Sequence, residues 1–405
     1  MARLIIREDK VRRLSREDLV AAINLCPFNA IQEHGGTLEI NAGCKMCNIC
    51  VEKGPEGAFV LVGPDEDTAA LDKSDWKGIA VYIDLTEGNV HPVSLELVGK
   101  AKELAQKVGF PVYALIMGSD IRKQAEDILC YGVDEVFAYD YEELDNFLIE
   151  PYTNVFEDFI KNVRPSTILI GATAVGRSLA PRVAARMRTG LTADCTKLDI
   201  RENTDLIQIR PAFGGNIMAQ IVTTNHRPQI ATVRYKIFDA PTRMAQASGE
   251  VRGNVSFCEI PGGKLASRIK IAAIAKKEKR QTISDAEVIV AVGRGFKSKK
   301  DLAMAHELAE LLGAEIATTR PLIEAGWVPP VRQIGLSGRT VKPKLIFTLG
   351  ISGSVQFKAG MENSELIISV NTDANATIFD VSHIAVKGDI YDIVPKLTKK
   401  IKEHV

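Results

Sequence analysis

Residues 345–371 read LIFTLGISGSVQFKAGMENSELIISVN, a stretch in which two apolar runs flank a turn rich in glycine and serine. The runs are Leu345–Gly350 and Leu366–Asn371, and small or polar residues bound each of them. Short continuous apolar runs with such boundaries are typical of strands buried on both faces, as in parallel sheets covered by helices. The stretch therefore predicts part of an open α/β sheet.

The same kind of pattern extends in both directions along the chain. Apolar runs predict further strands at residues 78–84, 111–117, 136–139, 167–171, 288–293 and 316–319. Helical spacing is found at residues 97–108, 302–312 and 391–402. Strands that alternate with helices indicate right-handed βαβ units and parallel sheets. Shorter strands at 207–210, 218–222 and 229–234 are expected to complete the first α/β domain.

Three domains are predicted from these patterns: residues 1–70, 75–280 and 283–405. The acidic, turn-rich residues 63–67 indicate a linker between the first two. The charged run at 276–280 indicates a solvated junction rather than a nucleic-acid site. The predicted fold class is therefore α/β, with a small N-terminal domain followed by two open α/β domains whose sheets are mainly parallel.

Composition and charge exclude several classes of protein. The 405 residues include 51 Lys and Arg and 51 Asp and Glu, so the formal net charge is zero. A neutral chain has no global basic field for nucleic acid or anionic membrane. No apolar run approaches the roughly 20 residues of a membrane helix, and the first residues lack an apolar signal segment. We expect a cytoplasmic protein without nucleic-acid partners or membrane insertion.

Four of the seven cysteines lie in the first 50 residues, namely Cys26, Cys44, Cys47 and Cys50. The last three form a C-x2-C-x2-C run, and a proline follows Cys26. Three thiolates in a short loop and a remote Cys-Pro are the ligand pattern of bacterial ferredoxins. Gly54 stands where a second cluster would require another cysteine. The segment thus resembles a bacterial ferredoxin domain that holds one [4Fe–4S] cluster on these four cysteines.

A structural zinc site is the alternative for this segment, although zinc sites usually use separated C-x2-C pairs. The other cysteines, Cys130, Cys195 and Cys258, are expected to be buried apolar residues. The odd number of cysteines argues against a disulfide framework.

Polar and small residues follow the predicted strands of the last domain. They are Gly293–Gly295, Thr319–Arg320, Gly350–Gln356 and Asn371–Asp373. Open parallel sheets bind ligands at the carboxyl ends of their strands, where small residues let a phosphate approach backbone N–H groups. Arg294 and Arg320 can pair with such an anion. Because no G-x-G-x-x-G or Walker A sequence is present, these residues predict either an unspecified anionic nucleotide or merely tight βα turns.

Several motifs together carry a family resemblance. They are AGWVP at 325–329, GLSG at 335–338, GISGSVQ at 350–356, AGM at 359–361, NTD at 371–373, GLTADC at 190–195 and RPAFGG at 210–215. With these motifs in order over roughly residues 76–405, the chain resembles the α subunit of electron-transfer flavoproteins. The resemblance implies one FAD in the last domain and a β subunit that forms a heterodimer with this chain.

The resemblance also implies a set of cofactor-binding residues. They are Arg294, Thr319, Arg320, Ile334, Gly335, Leu336, Ser337, Gly338, Ser352, Gly353, Ser354, Val355, Gln356, Phe357, Asn371, Asp389 and Ile390. By this comparison Arg320 lies over the isoalloxazine ring and favours its reduced, anionic form, and the Ser337 hydroxyl faces the flavin N5. Residues 352–356 hold the pyrophosphate and ribityl region, and Asn371 and Asp389 hold the adenosine end.

Three positions depart from the family pattern. Phe357 replaces a usual histidine near the pyrimidine C2 carbonyl, Leu336 replaces a usual glutamine, and Thr372 replaces a usual lysine. The loss of the histidine removes a donor to the anionic ring. The resemblance therefore no longer implies stabilisation of the flavin semiquinone, whereas it still implies FAD binding.

A ferredoxin-like extension on such an α subunit resembles the flavin-based electron-bifurcating complexes of anaerobes, such as caffeyl-CoA reductase or lactate dehydrogenase complexes. The implied function is an electron carrier between a β-subunit flavin and an acyl-CoA, caffeyl-CoA or lactate dehydrogenase-type partner. NADH is then the electron donor and ferredoxin the low-potential acceptor. Two alternatives remain: a non-bifurcating carrier whose cluster is structural or serves docking, and a redox-sensing nucleotide-binding protein.

Overall fold

The computed structural model describes residues 3–34, 37–41, 43–44, 46–62, 71–212, 217–245, 252–275 and 282–404. The predicted linker at 63–67, the charged run at 276–280 and motif residues 213–215 lie outside these ranges. The chain divides into two compact units, Met1–Asp72 and Lys73–Val405. The two units are described separately below.

The N-terminal unit combines two small antiparallel pairs of strands with short helices. Its elements are β1 (Arg3–Ile6), α1 (Glu8–Val11), α2 (Arg16–Asn24), β2 (Ile31–His34), β3 (Thr37–Ile40), α3 (Ile49–Lys53) and β4 (Phe59–Val62). β1 pairs with β4, and β2 pairs with β3. Their inner side chains, among them Val11, Ile31, Leu38 and Phe59, form one small core to which Cys50 also belongs.

The first α/β domain of the larger unit is built on a sheet of seven strands. Its elements are β5 (Ile79–Ile83), β6 (Leu85–Thr86), β7 (Asn89–Val90), α4 (Pro92–Val108), β8 (Val112–Gly118), α5 (Arg122–Leu129), β9 (Glu135–Asp140), α6 (Ile149–Val163), β10 (Thr167–Gly171), α7 (Ala174–Met187), β11 (Leu191–Cys195), β12 (Lys197–Ile200), β13 (Leu206–Ala212), β14 (Ile217–Val222), β15 (Gln229–Val233) and β16 (Asn254–Phe257). The strand order is β11-β15-β10-β5-β8-β9-β16.

All neighbouring strands of this sheet run parallel. β5 lies near the middle, and all five of its residues are buried. The chain adds β8 and β9 on one side of β5 and then returns to add β10 on the other. The order therefore reverses between β5 and β10, as in other doubly wound sheets, and the predicted βαβ alternation is confirmed.

The strands predicted within residues 207–222 are present in the first α/β domain, in an arrangement that the sequence pattern does not specify. β13 and β14 are strands, but they pair antiparallel with each other and with β12 in a separate three-stranded sheet, and only β15 joins the large one. Gln208 in β13 is fully buried, whereas its neighbours Ile207 and Ile209 are only partly buried. This inverts the usual alternation, so the sequence pattern did not show which face of the strand is inside.

The longest helix, α4, shows how local sequence sets its ends. Pro92 occupies its first position, and the imidazole Nδ1 of His91 accepts a hydrogen bond from the Val93 N–H at 3.2 Å. Gly109 ends the helix with a φ of 66°, a left-handed conformation that glycine adopts without a Cβ clash. The predicted helix at 97–108 thus exists and begins five residues earlier.

The inner face of α4 contacts residues 236–239, the segment that follows β15. The buried Glu96 carboxylate accepts hydrogen bonds from the Lys236 N–H at 3.0 and 3.2 Å. A Cβ at Gly99 would lie 2.4 Å from the Asp239 carbonyl oxygen, so only glycine allows this close approach. Burial raises the pKa of Glu96 from 4.5 to about 7, although the backbone donors oppose the shift.

We expect this carboxyl group to make stability depend on pH. Between pH 4.5 and 7 the folded chain binds more protons at Glu96 than the unfolded chain, so the unfolding free energy falls as the pH rises through that window. The contribution is on the order of 3 kcal/mol. Urea unfolding at pH 5 and pH 8 should show a smaller difference for Glu96→Gln than for the wild type. The exposed Glu126→Gln on α5 serves as control, and equal differences in all three proteins would contradict the prediction.

The second α/β domain is built on a sheet of five parallel strands. Its elements are β17 (Val288–Val292), α8 (Leu302–Leu311), β18 (Glu315–Thr318), α9 (Arg320–Glu324), β19 (Leu345–Leu349), α10 (Val355–Lys358), β20 (Leu366–Asn371), β21 (Ile384–Lys387) and α11 (Ile390–Lys402). The order is β18-β17-β19-β20-β21, so the direction of winding reverses between β17 and β19.

The α/β fold class and the two mainly parallel sheets predicted from the sequence are confirmed. Core residues line both faces of each sheet, which explains the continuous apolar character of the central strands. Among the helices described, none is both long and apolar enough to cross a membrane.

Candidate functional site

The winding of the second sheet reverses where two glycine turns meet. Gly295 follows β17, and its N–H donates to the Gly350 carbonyl at 2.9 Å; Gly350 follows β19 and has a φ of 63°. A Cβ at Gly295 would lie 2.6 Å from the Gly350 Cα. The two turns therefore pack backbone against backbone and leave the strand ends open, which is where doubly wound sheets bind their ligands.

The turn after β19, residues 350–354, has a conformation that only glycine permits at position 353, and we call this turn the cradle. Gly353 has a φ of 89°, and a Cβ there would meet the Ile378 nitrogen at 2.1 Å. The Ile378 N–H donates to the Ser352 carbonyl at 3.0 Å, and the Thr377 hydroxyl donates to the Gly353 carbonyl at 2.6 Å. These bonds fix the turn while Ser352 and Ser354 remain exposed. A small, rigid turn with exposed hydroxyls suits a phosphate group.

The next strand ends carry the two predicted adenosine ligands. Asn371 ends β20, and its amide donates to the Ile351 carbonyl at 2.8 Å. Asp389 lies just beyond β21 and caps α11 by accepting from the Tyr391 N–H at 2.9 Å. The Gly388 N–H donates to the Asn371 carbonyl at 3.0 Å, which keeps the two strand ends together.

A cavity of about 590 Å³ lies at the same end of the sheet. Nine of the predicted cofactor residues line it, namely Thr319, Arg320, Ile334, Gly335, Leu336, Ser337, Ser354, Gln356 and Phe357. Its size is within the range of cofactor pockets. Gly338 lines a smaller neighbouring cleft. Arg294 is exposed in the turn after β17, and Ser352, Gly353, Val355, Asn371, Asp389 and Ile390 lie outside the cavity wall.

The Arg320 side chain is well placed to act on a bound ring. It is the first residue of α9, is 67% exposed, and its Nε donates to the Glu324 carboxylate at 2.8 Å. Across the cavity the Ser337 hydroxyl accepts from the Gln333 amide at 2.8 Å, and Phe357 is buried in the wall. The cavity therefore combines a cation, a hydroxyl and an apolar wall.

Sequence reasoning did not assign three charged residues that the first domain contributes to the cavity: Asp194, Arg210 and Arg234. Asp194 lies in β11, and Arg234 follows β15, the adjacent strand. Arg234 donates to the Leu336 carbonyl at 2.7 Å, a bond that joins the first domain to the second. Arg234 ends a predicted strand and Asp194 lies in the GLTADC motif, but their convergence depends on the adjacency of β11 and β15, which the sequence does not show.

These observations fit FAD. The turn around Gly353 has room for a phosphate group, the adjoining cavity is large enough for a ring system, and Arg210, Arg234 and Arg320 give the cavity an excess of positive charge over Asp194 and Glu324. An excess of cations favours an electron-rich, anionic form of the ring. Nine of the residues that the family resemblance implies therefore line this cavity, and the roles of the individual residues stay predictions.

The four cysteines of the N-terminal unit line one small pocket together with apolar residues such as Pro27 and Phe28. Cys50 is buried and Cys47 is exposed. The Ala30 N–H donates to Cys26 Sγ at 3.3 Å, and the Met46 N–H donates to Cys44 Sγ at 3.5 Å. Burial raises the pKa of the Cys50 thiol, and the nearby Cys44, Cys47 and Cys26 raise it further.

Within the described residues, no three His, Cys, Asp or Glu side chains form a ligand set for a single metal ion. The thiolates of a cubane bind different irons, so they are spaced around a cluster rather than around one ion. Four converging cysteines with N–H donors to their sulfurs are a suitable donor set for such a cluster, since hydrogen bonds to sulfur tune its potential.

Comparison with known proteins identifies the family. The profile of the electron transfer flavoprotein domain matches residues 79–253, and that of the electron transfer flavoprotein FAD-binding domain matches residues 282–362. The chain is also 43% identical to the electron transfer flavoprotein subunit alpha of Clostridium acetobutylicum, over 82% of this chain and 99% of that protein. This chain belongs to the electron-transfer flavoprotein α-subunit family. The resemblance drawn from its motifs is confirmed.

Two further relatives of this electron-transfer flavoprotein α subunit differ in how much of it they cover. Protein FixB of Clostridium saccharobutylicum is 40% identical over 82% of this chain and 98% of its own length. The lactate dehydrogenase (NAD(+),ferredoxin) subunit LctC of Acetobacterium woodii is 57% identical over 98% of this chain and 93% of its own length. The alignment with LctC therefore includes nearly all of the Met1–Asp72 unit.

Proposed function

We propose that this chain is the electron-carrying α subunit of a ferredoxin-linked dehydrogenase complex, with one FAD in the second α/β domain and one [4Fe–4S] cluster in the N-terminal unit. The observation that carries the proposal is the similarity to LctC over 98% of the chain, which spans both the cysteine pocket and the cavity. LctC is a subunit of a lactate dehydrogenase that uses NAD and ferredoxin, as its name states.

Bound FAD would supply the capacity to exchange one or two electrons. The chain's own residues then have separate tasks. The cradle around Gly353 binds the pyrophosphate, Arg320 places positive charge beside the ring, and Phe357 excludes water from one side. Cys26, Cys44, Cys47 and Cys50 would hold the cluster, which would supply one-electron transfer, and Cys47 is exposed at the surface.

In the proposed complex a β subunit completes a heterodimer and carries a second flavin. The two electrons of NADH are divided between a lactate dehydrogenase-type partner and a low-potential ferredoxin, which is flavin-based electron bifurcation. Related partners of the acyl-CoA or caffeyl-CoA type use the same carrier chemistry. The protein is proposed to work in the cytoplasm of an anaerobe.

The test is to purify the chain anaerobically with its β subunit and to count flavin, iron and sulfide per heterodimer. One FAD on this chain and about four irons support the proposal, whereas a preparation without flavin overturns it. NADH-dependent ferredoxin reduction that requires pyruvate, the oxidised substrate of a lactate dehydrogenase-type partner, would establish bifurcation.

A non-bifurcating carrier is the second candidate, because relatives named simply as electron transfer flavoprotein subunit alpha match 82% of the chain. In that case the cluster is structural or serves docking. Ferredoxin reduction by NADH would then be absent with or without pyruvate, while electron transfer from a dehydrogenase to the flavin would persist.

We expect Arg320→Gln to lower the reduction potential of the bound flavin. The cation stabilises the reduced, anionic ring, so its removal makes reduction less favourable, by about 30–60 mV for a tenfold effect on the equilibrium. Dye-linked potentiometry of the purified heterodimer measures the change. Arg268→Gln, which removes a 94% exposed guanidinium that does not line the cavity, is the matched control. A potential that is unchanged or raised in Arg320→Gln would contradict the assignment.

A further inference from the structure

Strand β11 contains an irregularity at the edge of the cavity. Its register with β15 shifts between Thr192 and Cys195. Asp194 lies within the shift and has a φ of 58°, in the left-handed region that non-glycine residues rarely adopt. The Asp194 N–H donates to the Thr232 hydroxyl at 2.9 Å, which holds the bulge in place. Bulges of this kind commonly redirect a side chain at a functional site, and here the redirected carboxylate lines the cavity.

The Asp194 carboxylate binds two arginines. Arg177 from α7 approaches its two oxygens at 3.1 and 3.2 Å, and Arg234 approaches Oδ2 at 3.2 Å. The side chains of Asp194 and Arg234 are only 23% and 16% exposed, so solvent screens the pair weakly. The carboxylate thereby fixes the direction of the Arg234 guanidinium.

From this position Arg234 reaches the second domain. Its Nη2 donates to the Leu336 carbonyl at 2.7 Å, while the Leu336 N–H donates to the Gln356 carbonyl at 2.9 Å. Gly335, beside Leu336, has a φ of 131°, and a Cβ there would meet the Gln356 carbonyl oxygen at 2.8 Å. The segment 334–338 is therefore held from one side by its own domain and from the other by Arg234.

We propose that Arg234, oriented by Asp194 and Arg177, is a positioning residue for the flavin site, which sets the segment that carries Leu336 and Ser337 against the ring. The inference rests on the proposed function, because FAD is the group that this segment contacts. The inference gives the first domain a role in the flavin site. The hydrogen bond from Arg234 to the Leu336 carbonyl links the edge of the first sheet to the segment 334–338, which belongs to the FAD-binding domain.

The geometry distinguishes positioning from charge alone. Both bonds are made by Nη2 of Arg234, whose N–H directions are fixed by the guanidinium plane, so that one nitrogen binds the Asp194 carboxylate and the Leu336 carbonyl at the same time. A lysine keeps the positive charge, but its three donors rotate freely at the end of a flexible stem and are not held in a plane. Asparagine at position 194 tolerates the left-handed backbone and removes the negative charge, so it tests the carboxylate without disturbing the bulge.

The experiment uses the full chain purified with its β subunit: the flavin reduction potential is measured on the flavin-loaded heterodimer, and FAD affinity is measured by flavin fluorescence after deflavination, with the binding step that remains in a heterodimer whose β-subunit flavin is already restored assigned to this chain. We expect Arg234→Gln to weaken FAD binding by about tenfold, as for the loss of one charged hydrogen bond, and to shift the potential. With Arg234→Lys, less than half of the lost FAD binding free energy, which is proportional to the logarithm of Kd, should be recovered. Asp194→Asn should weaken binding, and the double variant should equal Arg234→Gln alone, because both residues act through the same bond.

The matched control is Arg243→Gln, which breaks an exposed ion pair with Asp127 in the same domain and should leave affinity and potential unchanged. If Arg234→Gln lowers the thermal midpoint but binds FAD within twofold of the wild type, the role is only structural and the inference is wrong. Full recovery in Arg234→Lys also overturns it, since charge alone would then suffice. A wild-type chain that binds no FAD is a different result, because it overturns the proposed function together with the inference.

Discussion

Replacing Cys47 with alanine is expected to reduce the iron content from about four atoms per chain to three or fewer, because the iron bound to that thiolate loses its protein ligand. The FAD content should not change, since the cavity lies in the other compact unit. Cys47 is exposed, so alanine there removes a ligand without creating a cavity in the core. Iron and sulfide analysis, with the visible absorbance of the cluster, provides the measurement.

The matched control is Cys258→Ala, which removes a partly buried thiol outside the cysteine pocket and should leave iron and flavin intact. Unchanged iron in Cys47→Ala would refute the ligand assignment. Zinc in place of iron and sulfide in the wild-type chain would instead establish the structural zinc site. If the cluster relays electrons, Cys47→Ala also abolishes NADH-dependent ferredoxin reduction; if it is structural, that activity is spared.

Gly353→Ala is expected to weaken FAD binding by about 100-fold, which corresponds to the loss of two hydrogen bonds to the pyrophosphate. The added Cβ overlaps the Ile378 nitrogen, so the turn must move, and the exposed donors around Ser352 and Ser354 move with it. Fluorescence titration with FAD measures the affinity, and circular dichroism verifies that the variant is folded.

Gly313→Ala separates backbone strain from the loss of the cradle. Gly313 also has a positive φ, 59°, but a Cβ there meets nothing within 4 Å. Alanine in a left-handed conformation costs about 1–2 kcal/mol of stability, and we expect no change in FAD affinity. Gly353→Ala that binds FAD within threefold of the wild type would show that the turn is not the pyrophosphate site.

The buried strands, the glycine turn after β19 and the cysteine motif could be predicted from the sequence because each depends on residues that are close together in the chain. Continuous apolar runs such as that of β5 identify buried parallel strands, and the turn containing Gly353 lies within a few residues of the strand that precedes it. The spacing of Cys44, Cys47 and Cys50 likewise carries its meaning within seven residues. These patterns depend on one element and its immediate neighbours, so they can be interpreted before the fold is known.

The contribution of the first domain to the cavity could not be predicted in this way. Asp194 and Arg234 are forty residues apart in the sequence and meet because β11 lies beside β15, an adjacency that no local pattern specifies. The three-stranded sheet of β12, β13 and β14 was missed for a related reason. Its inner face buries the polar Gln208, whose amide has no hydrogen-bond partner among the residues described, so hydrophobic alternation does not indicate which face is inside.

Residues of both α/β domains line the cavity, so a fragment that contains only one of these domains lacks part of the cavity wall. A fragment that begins at residue 283 would keep the glycine turns, the strand ends and the cavity wall between Thr319 and Phe357, but it would lack Arg210 and Arg234. In such a fragment the cavity would be open on the side that the first domain otherwise covers. The two α/β domains therefore form a single functional module, and a gene that encodes only one of them encodes an incomplete site.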